Sequence, residues 1–103
     1  MPHSRILIHF VWTTKNRYPF LTAEKKIAIQ KHIMSNAVAK GIFIIAINCH
    51  LDHVHCLVSL GNKQNPSDVM RMIKGESSFW INKQNLYRIK FGWQDEFYAI
   101  SIG

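Results

Sequence analysis

The order in which strand-like and helix-like hydrophobic patterns follow one another along the chain constrains its fold more than any other feature of the sequence. Stretches rich in β-branched and aromatic residues indicate strands, whereas apolar residues spaced three and four apart indicate helices. The predicted strands are residues 5–14, 42–48, 53–60 and a last one around 97–102, and the predicted helices are residues 23–40 and 67–83. The resulting order, βαββαβ, predicts an α+β ferredoxin-like fold, in which an antiparallel sheet carries two helices on one face.

The same reading indicates which side chains share a face. Residues two apart on a strand point the same way, so His9 of the first strand lies opposite to Phe10 and Trp12. Thr22 is a suitable N-cap for the first helix and Gly41 a suitable end. The first and third strands are neighbours in this fold, so His9 is expected to approach the third strand.

Length and charge limit the class of protein. The 103 residues form one domain, and their 48% hydrophobic content is sufficient for a core. A net charge of +7 suggests a polyanionic partner, with nucleic acid as the first candidate. Two cysteines in apolar segments form no disulfide framework, which indicates a cytoplasmic protein. The apolar run at residues 6–12 is too short to cross a membrane, so no membrane partner is expected.

A short histidine motif carries the clearest chemistry. In Asp52-His53-Val54-His55, the two imidazoles are two residues apart on a strand and therefore project from one face. Two imidazoles so placed can bind one divalent cation, which would polarise a phosphate oxygen. They can equally be ordinary strand histidines. A further alternative adds Cys49 and Cys56 as ligands, although their spacing matches no common zinc motif.

Other side chains near the motif have more than one interpretation. His9 is either a third ligand, a partner that orients one of the two imidazoles, or a half-buried strand histidine. Asp52 either holds the tautomer of a neighbouring imidazole or stabilises the turn. The remaining histidines are expected to be structural or exposed to solvent: His3, His32 and His50.

Four segments, in order, carry a resemblance to a known family. They are residues 9–17 (HFVWTTKNR), 51–58 (LDHVHCLV), 73–78 (IKGESS) and 91–94 (FGWQ). Together they resemble the single-tyrosine HUH transposases of small bacterial insertion sequences, including the REP-associated tyrosine transposases. The likeness extends over almost the entire chain, and four ordered motifs are more specific than any one of them.

The resemblance implies an activity, a cofactor and partners. Such enzymes bind single-stranded DNA hairpins at the ends of an element, and a tyrosine attacks a phosphodiester to form a 5′-phosphotyrosine link during transposition. It implies that His53 and His55 are metal ligands for Mg²⁺ or Mn²⁺. It also implies a homodimer in which each site receives the tyrosine helix of its partner.

The sequence departs from the family at the nucleophile. The family's tyrosine lies on a helix after the last strand, whereas this sequence ends at Gly103. We therefore expect residues 1–103 to form one HUH transposase-like domain that is C-terminally truncated relative to the family and inactive by itself. Tyr98 is the only tyrosine near the last strand, and we expect a core or edge-strand aromatic rather than a nucleophile there.

Basic and aromatic residues indicate a DNA-binding surface. The candidates are Lys15, Arg17, Tyr18, Arg71, Lys74 and Trp93. Lysine and arginine contacts to phosphates would be sensitive to salt, and an aromatic ring stacked on an unpaired base contributes on the order of 1–3 kcal/mol. Two other functions stay open: a non-catalytic nucleic-acid-binding domain of the same fold, and a metal-binding protein unrelated to DNA.

Overall fold

A computed structural model describes residues 5–103, so His3 lies outside the described residues. The elements follow the predicted order, with bounds that differ from the predictions by one residue. They are β1 (Arg5–Thr13), α1 (Ala23–Ala39), β2 (Phe43–Cys49), β3 (His53–Gly61), α2 (Pro66–Lys83) and β4 (Tyr98–Ile102). A single 3₁₀ turn, Lys15–Arg17, follows β1. The predicted α+β fold is confirmed.

The four strands form one antiparallel sheet in the order β2-β3-β1-β4. The adjacency of β1 and β3, predicted from the fold, is confirmed, with Val11 opposite His55 and His9 opposite Leu57. β1 also pairs with β4, where Val11 lies opposite Tyr98. β1 and β3 are therefore the central strands, and anything that they carry lies at the middle of the sheet.

One face of the sheet is covered by the two helices and the other is open. Phe10 and Trp12 of β1 and Val54 of β3 are at most 1% exposed and belong to a single core. The helices supply the other side of that core through Ile29, Ile33, Ala37, Val69, Met70, Ile73 and Ile81. The alternate residues of β1 and β3 are partly exposed, so the open face is free to carry polar groups.

Short polar contacts fix the ends of the helices. The Thr22 side chain accepts a hydrogen bond from the Lys25 backbone N–H, as its sequence position predicts for an N-cap. Asn65 caps α2 by accepting from the Asp68 backbone N–H at 2.8 Å. After α1, Gly41 has a φ of 71°, a left-handed conformation that a residue with a Cβ adopts only with strain.

Thr14 connects the loop after β1 to the turn between β2 and β3. It is fully buried, and its backbone N–H donates to the Asp52 carbonyl at 2.9 Å. Its hydroxyl donates to the Tyr18 carbonyl at 2.7 Å. Because both partners are backbone groups, Thr14 holds the loop of residues 15–19, termed here the basic loop, against the β2–β3 turn, where the histidine motif begins.

The cysteines lie on the helix-covered face of the sheet. Cys49 and Cys56 are 0% and 1% exposed, and both contribute to the core. His53 and His55 occupy the alternating positions of β3 and point to the open face. The alternative in which the cysteines join these histidines around a metal is therefore wrong.

Neither helix within residues 5–103 combines the length and the hydrophobicity that a membrane span requires.

The burial of the cysteines predicts their reactivity. Burial raises the pKa of the Cys49 and Cys56 thiols to about 12, so both remain protonated in the native protein near pH 8. Because the thiolate is the reactive form, a thiol reagent such as Ellman's reagent should leave native protein unmodified and modify both cysteines after addition of denaturant. Rapid modification of either thiol without denaturant would contradict this packing.

Candidate metal centre and nucleic-acid surface

A tight hairpin between β2 and β3 sets the geometry of the histidine site. The His50 backbone N–H donates to the His53 carbonyl at 2.8 Å, which leaves Leu51 and Asp52 as a two-residue turn. Asn48 lies opposite His55 two pairs further along. Directly opposed residues of an antiparallel pair share a face, so His50 lies on the open face beside His53.

His50 is the functional candidate that sequence reasoning missed. The sequence predicts it to be structural or exposed to solvent, because the predicted strands at residues 42–48 and 53–60 leave residues 49–52 as a four-residue turn. With only Leu51 and Asp52 in the turn, His50 becomes the cross-strand partner of His53. The signal was present in the sequence: a two-residue turn would place two histidines opposite each other.

Three imidazoles meet on the open face. His50, His53 and His55 each offer a ligand nitrogen, and these nitrogens lie within 4.8 Å of one another. The His50 and His53 rings are stacked, with centroids 4.5 Å apart and planes at 10°. The His55 ring is nearly perpendicular to both, at 80° and 74°. The sequence placed His53 and His55 on one face, and the structure brings them together there.

His9 contacts the same cluster from β1. Its Nε2 lies 3.1 Å from His55 Nδ1, and the two rings are stacked with centroids 5.1 Å apart. His9 is diagonal to His55 in the β1–β3 ladder, a spacing that rings can bridge. Burial, followed by the nearby His53, His9 and His50, lowers the pKa of His55. His55 is therefore neutral at pH 7, the form that binds a metal.

Asp52 contacts His53 on the opposite side of the cluster. Its Oδ1 lies 2.8 Å from His53 Nδ1, and its Oδ2 accepts from Arg17 Nε at 3.1 Å. The hydrogen bonds from His53 and then from Arg17 lower the pKa of the Asp52 carboxyl below its usual range. Asp52 is thus a carboxylate near neutral pH, and it favours the His53 tautomer with a proton on Nδ1.

The hydrogen bonds determine which nitrogens remain for a cation. When the Nδ1 atoms of His53 and His55 donate to Asp52 and His9, each ring keeps its lone pair on Nε2. Neutral imidazoles held this way are typical ligands of divalent transition metals. The donor set therefore fits a divalent cation, with His53 and His55 oriented to hold it and the His50 ring beside them.

A cavity of about 660 Å³, termed here the histidine cavity, opens beside the cluster. It is lined by Val11, Trp12, Thr13, Arg17, His53, His55, Gln94, Glu96, Phe97 and Tyr98. Tyr98 is 74% exposed and shares a row with Val11 and His55 across the sheet. Tyr98 is therefore not a core residue but an exposed aromatic on the edge strand, the second of the two expected placements.

A second cavity, of about 760 Å³ and termed the aromatic cavity, lies on the other side of the basic loop. Lys15, Tyr18 and Lys90 line it together with exposed Phe79 and Ile89. Arg17, two residues from Lys15, lines the histidine cavity instead. The loop therefore lies between the two cavities and presents a cation to each of them.

Three other predicted DNA contacts are engaged within the protein. Trp93 is only 7% exposed, and its Nε1 donates to Ser77 Oγ at 2.9 Å. Lys74 Nζ donates to the Asp95 carbonyl at 2.8 Å, and burial lowers the pKa of Lys74. Arg71 forms an ion pair with a carboxylate one helical turn away on α2. Trp93 therefore lies mostly in the core at the edge of the aromatic cavity, whereas Arg71 and Lys74 lie outside both cavities.

His32 has the structural surroundings that the sequence predicted. Its Nε2 lies 2.8 Å from a Glu76 carboxylate oxygen, and its ring stacks on Trp80 with centroids 4.0 Å apart. These contacts join α1 to α2. His32 therefore belongs to the helical layer and not to the histidine cluster.

Comparison with known proteins identifies the family. Residues 2–103 match the family described as "Transposase IS200 like", and the chain belongs to that family. The chain is 27% identical over 100 residues to the transposase of insertion sequence element IS200 from Salmonella typhimurium, an alignment that covers 92% of this chain and 66% of the relative. The ISDra2 transposase TnpA of Deinococcus radiodurans is 29% identical over 70 residues, covering 68% of this chain and 50% of the relative.

Solved structures share the fold at low sequence identity. A Deinococcus radiodurans crystal structure described as a transposase superposes with a TM-score of 0.87 at 18% identity, covering 97% of this chain and 81% of the other. A REP-associated tyrosine transposase bound to a REP hairpin gives a TM-score of 0.71 at 18% identity, covering all of this chain and 60% of the other. The chain thus spans about two thirds of the IS200 relative and less of the REP-associated protein.

The Asp52–His53 contact predicts the effect of a conservative change. Asp52→Asn removes the carboxylate that polarises the His53 imidazole, so affinity for a transition cation should fall about 10- to 100-fold. Isothermal titration with Mn²⁺ or Zn²⁺ measures the change. Glu24→Gln, which removes an exposed carboxylate at the start of α1, is the matched control. Equal affinities for Asp52→Asn and unmodified protein would show that Asp52 only stabilises the turn.

Proposed function

We propose that this chain is the DNA- and metal-binding domain of a DNA transposase, acting in the cytoplasm on single-stranded DNA folded into hairpins. The observation that carries the proposal is the cluster of His50, His53 and His55 on the open sheet face, next to a basic loop, in a chain of the IS200-like family. The fold shared with a REP-associated transposase that holds a REP hairpin supports hairpin DNA as the ligand.

The first step is capture of the DNA by charge. Thirteen lysines and arginines against six acidic residues give a positive field that attracts phosphates. Lys15 and Lys90 line the aromatic cavity together with Tyr18, which is 49% exposed. An unpaired base can stack on the Tyr18 ring while the lysines neutralise the flanking phosphates.

The second step is placement of one phosphodiester beside the histidines. Arg17 lines the histidine cavity and its side chain is 63% exposed, so its guanidinium can contact a phosphate while Nε stays on Asp52. A DNA strand that leaves the aromatic cavity and crosses the basic loop enters the histidine cavity past Arg17. The loop thereby sets which phosphate reaches the imidazoles.

The third step is stabilisation of negative charge on that phosphate. A divalent cation held by His53 and His55 would polarise a non-bridging phosphate oxygen and offset the charge that develops there. Asp52 keeps the His53 ring oriented, and His9 does the same for His55, each through Nδ1. The partial burial of His55 keeps it neutral and ready to coordinate.

Strand cleavage also needs a nucleophile, and we assign that role to none of the three tyrosines. The Tyr87 hydroxyl donates to the Phe20 carbonyl, and burial raises the pKa of Tyr87 to about 12. Tyr18 lines the aromatic cavity, away from the histidines. Tyr98 lines the histidine cavity but is held on the edge strand, with β1 between it and His55. The second candidate function, binding without cleavage, follows from these placements.

A homodimer is part of the proposal. β4 is an edge strand, and all five of its residues are exposed, including Ile100 and Ile102. An exposed edge strand with apolar side chains is a surface on which a second copy can pair. Such pairing would bring a partner chain close to the histidine cavity, because Tyr98 lies on β4 and also lines that cavity.

DNA binding by charge predicts a strong dependence on salt. Affinity for a fluorescent hairpin oligonucleotide, measured by anisotropy in EDTA, should weaken at least about tenfold between about 50 and 200 mM NaCl. Lys15→Gln with Lys90→Gln should lower the slope of log affinity against log salt by about 1–2, whereas Lys31→Gln on α1 should not change it.

Two results would contradict the proposal. Affinity that does not change with salt would show that phosphate contacts do not drive binding. Equal losses for the Lys31 variant and the Lys15/Lys90 variant would show that the basic loop is not the DNA surface. The His53→Ala/His55→Ala double variant should bind the hairpin in EDTA as unmodified protein does, since these residues act through the cation.

A further inference from the structure

We propose that His50 is a third metal ligand, and that the resulting three-imidazole site selects Zn²⁺ or a similar transition cation over Mg²⁺. The proposal deepens the proposed function, because it concerns the same site. It concerns metal binding by the protein alone, however, and can be tested without DNA. It also changes the expectation of Mg²⁺ or Mn²⁺ that the resemblance implied.

The backbone fixes His50 next to the pair. Its N–H donates to the His53 carbonyl at 2.8 Å, so the two residues are opposed across the narrow end of the β2–β3 hairpin. Their rings are parallel to within 10° and 4.5 Å apart. The third imidazole is thus delivered by the hairpin itself, and no rearrangement of the backbone is needed to bring it to the site.

The spacing of the three rings suits one small cation. Two nitrogens bound at about 2.0–2.1 Å to a tetrahedral Zn²⁺ lie about 3.4 Å apart. The ligand nitrogens of His50, His53 and His55 already lie within 4.8 Å of one another. His50 is exposed at the end of the hairpin, and side-chain rotation is sufficient to close the remaining gap.

His50 is also free to move to the cation. His53 and His55 each have one nitrogen engaged, at 2.8 Å to Asp52 and 3.1 Å to His9. The ring of His50 makes a 3.5 Å contact with the Asn48 amide, at the limit for a hydrogen bond. Coordination by His50 therefore costs little in broken contacts, whereas His53 and His55 are already oriented.

The donors are nitrogens, and this decides the choice of metal. Among the described residues, the cluster contains three histidines and no carboxylate. The two Asp52 oxygens face His53 and Arg17, and Glu96 lines the cavity without belonging to the cluster. Mg²⁺ requires oxygen ligands in octahedral geometry, whereas imidazoles bind Zn²⁺, Co²⁺ and Ni²⁺ well and Mn²⁺ less tightly.

A three-histidine site leaves a coordination position open. Catalytic zinc sites keep three protein ligands and bind water or substrate at the fourth position, whereas structural sites fill all four. The cluster lies at the edge of the histidine cavity, which gives that fourth position access to solvent. A phosphate oxygen of bound DNA is the substrate group that the proposed function would bring there.

Titration with Co²⁺ tests the ligand set directly, because visible absorption reports its coordination. The chain should bind Co²⁺ with a tetrahedral or five-coordinate spectrum, Zn²⁺ should displace it, and Mg²⁺ in large excess should not. His50→Ala should weaken Co²⁺ binding by about tenfold or more. His32→Ala, a histidine outside the cluster, and Glu96→Gln, the nearby carboxylate, should each stay within about twofold of unmodified protein.

A second measurement uses unmodified protein and does not depend on how the variants fold. In ¹⁵N-edited spectra of the imidazoles, one equivalent of Zn²⁺ should shift the ligand nitrogens of His50, His53 and His55 and leave His32 in place. Co²⁺ affinity unchanged in His50→Ala, or a Zn²⁺ spectrum in which His50 does not shift, would overturn the ligand assignment. Displacement of Co²⁺ by comparable Mg²⁺ would overturn the selectivity.

These outcomes separate this proposal from the proposed function. If His50 proves not to be a ligand while the hairpin still binds in a salt-dependent manner, the DNA-binding function stands and only the three-imidazole site fails. If the three imidazoles bind Zn²⁺ but no hairpin DNA is bound at low salt, the metal site stands and the DNA-binding function fails.

Discussion

The antiparallel pairing of β1 with β3 is the constraint on which the rest of the structure depends. Val11 opposite His55 and Phe10 opposite Cys56 fix which side chains face the helices and which face the open side. A shift of one residue on β3 would turn Val54 outward and bury His53 and His55, at the cost of the core and of two desolvated imidazoles. The same register therefore both buries Phe10 and Val54 and leaves the histidines on the open face.

Two hydrogen-bonded chains of side chains converge on the open face. Arg17, Asp52 and His53 form one of them, and His9 with His55 forms the other. Their starting points lie on β1 and on the loop after it, whereas their ends lie on β3. The β1–β3 ladder and the buried Thr14 therefore hold the imidazoles in orientation as well as in position. The same loop carries the cations that are proposed to meet DNA, so the two functions share one support.

Much of this arrangement could be predicted from the sequence, because it depends on periodicity. Local spacing predicts the element order, the two faces of β1 and the placement of His53 and His55 on one face of β3. Thr22 and Gly41 mark the two ends of α1, because one caps the helix and the other adopts a left-handed conformation. The position of His50 depended on the length of one turn, and a difference of two residues there changes the cross-strand partner. Element boundaries are the least certain part of such a prediction.

The surroundings of single side chains were harder to predict than the elements. Tryptophan and lysine are residue types that are common on DNA-binding surfaces. Trp93 nevertheless lies in the core, where it donates a hydrogen bond to Ser77, and Lys74 donates to backbone carbonyls of the segment before β4. These contacts join α2 to residues about 16–22 positions away along the chain, and no local pattern reports them. The exposure of Tyr98 also depends on tertiary structure, because β4 lies at the edge of the sheet.

An anomalous-difference map from crystals of the protein grown with Zn²⁺ or Mn²⁺ tests the metal site most directly. We expect one strong peak on the open sheet face, with the Nε2 atoms of His53 and His55 at about 2.0–2.2 Å from it. A peak at any other place, or none with these two rings well ordered, would contradict the claim that paired imidazoles on this face form a cation site.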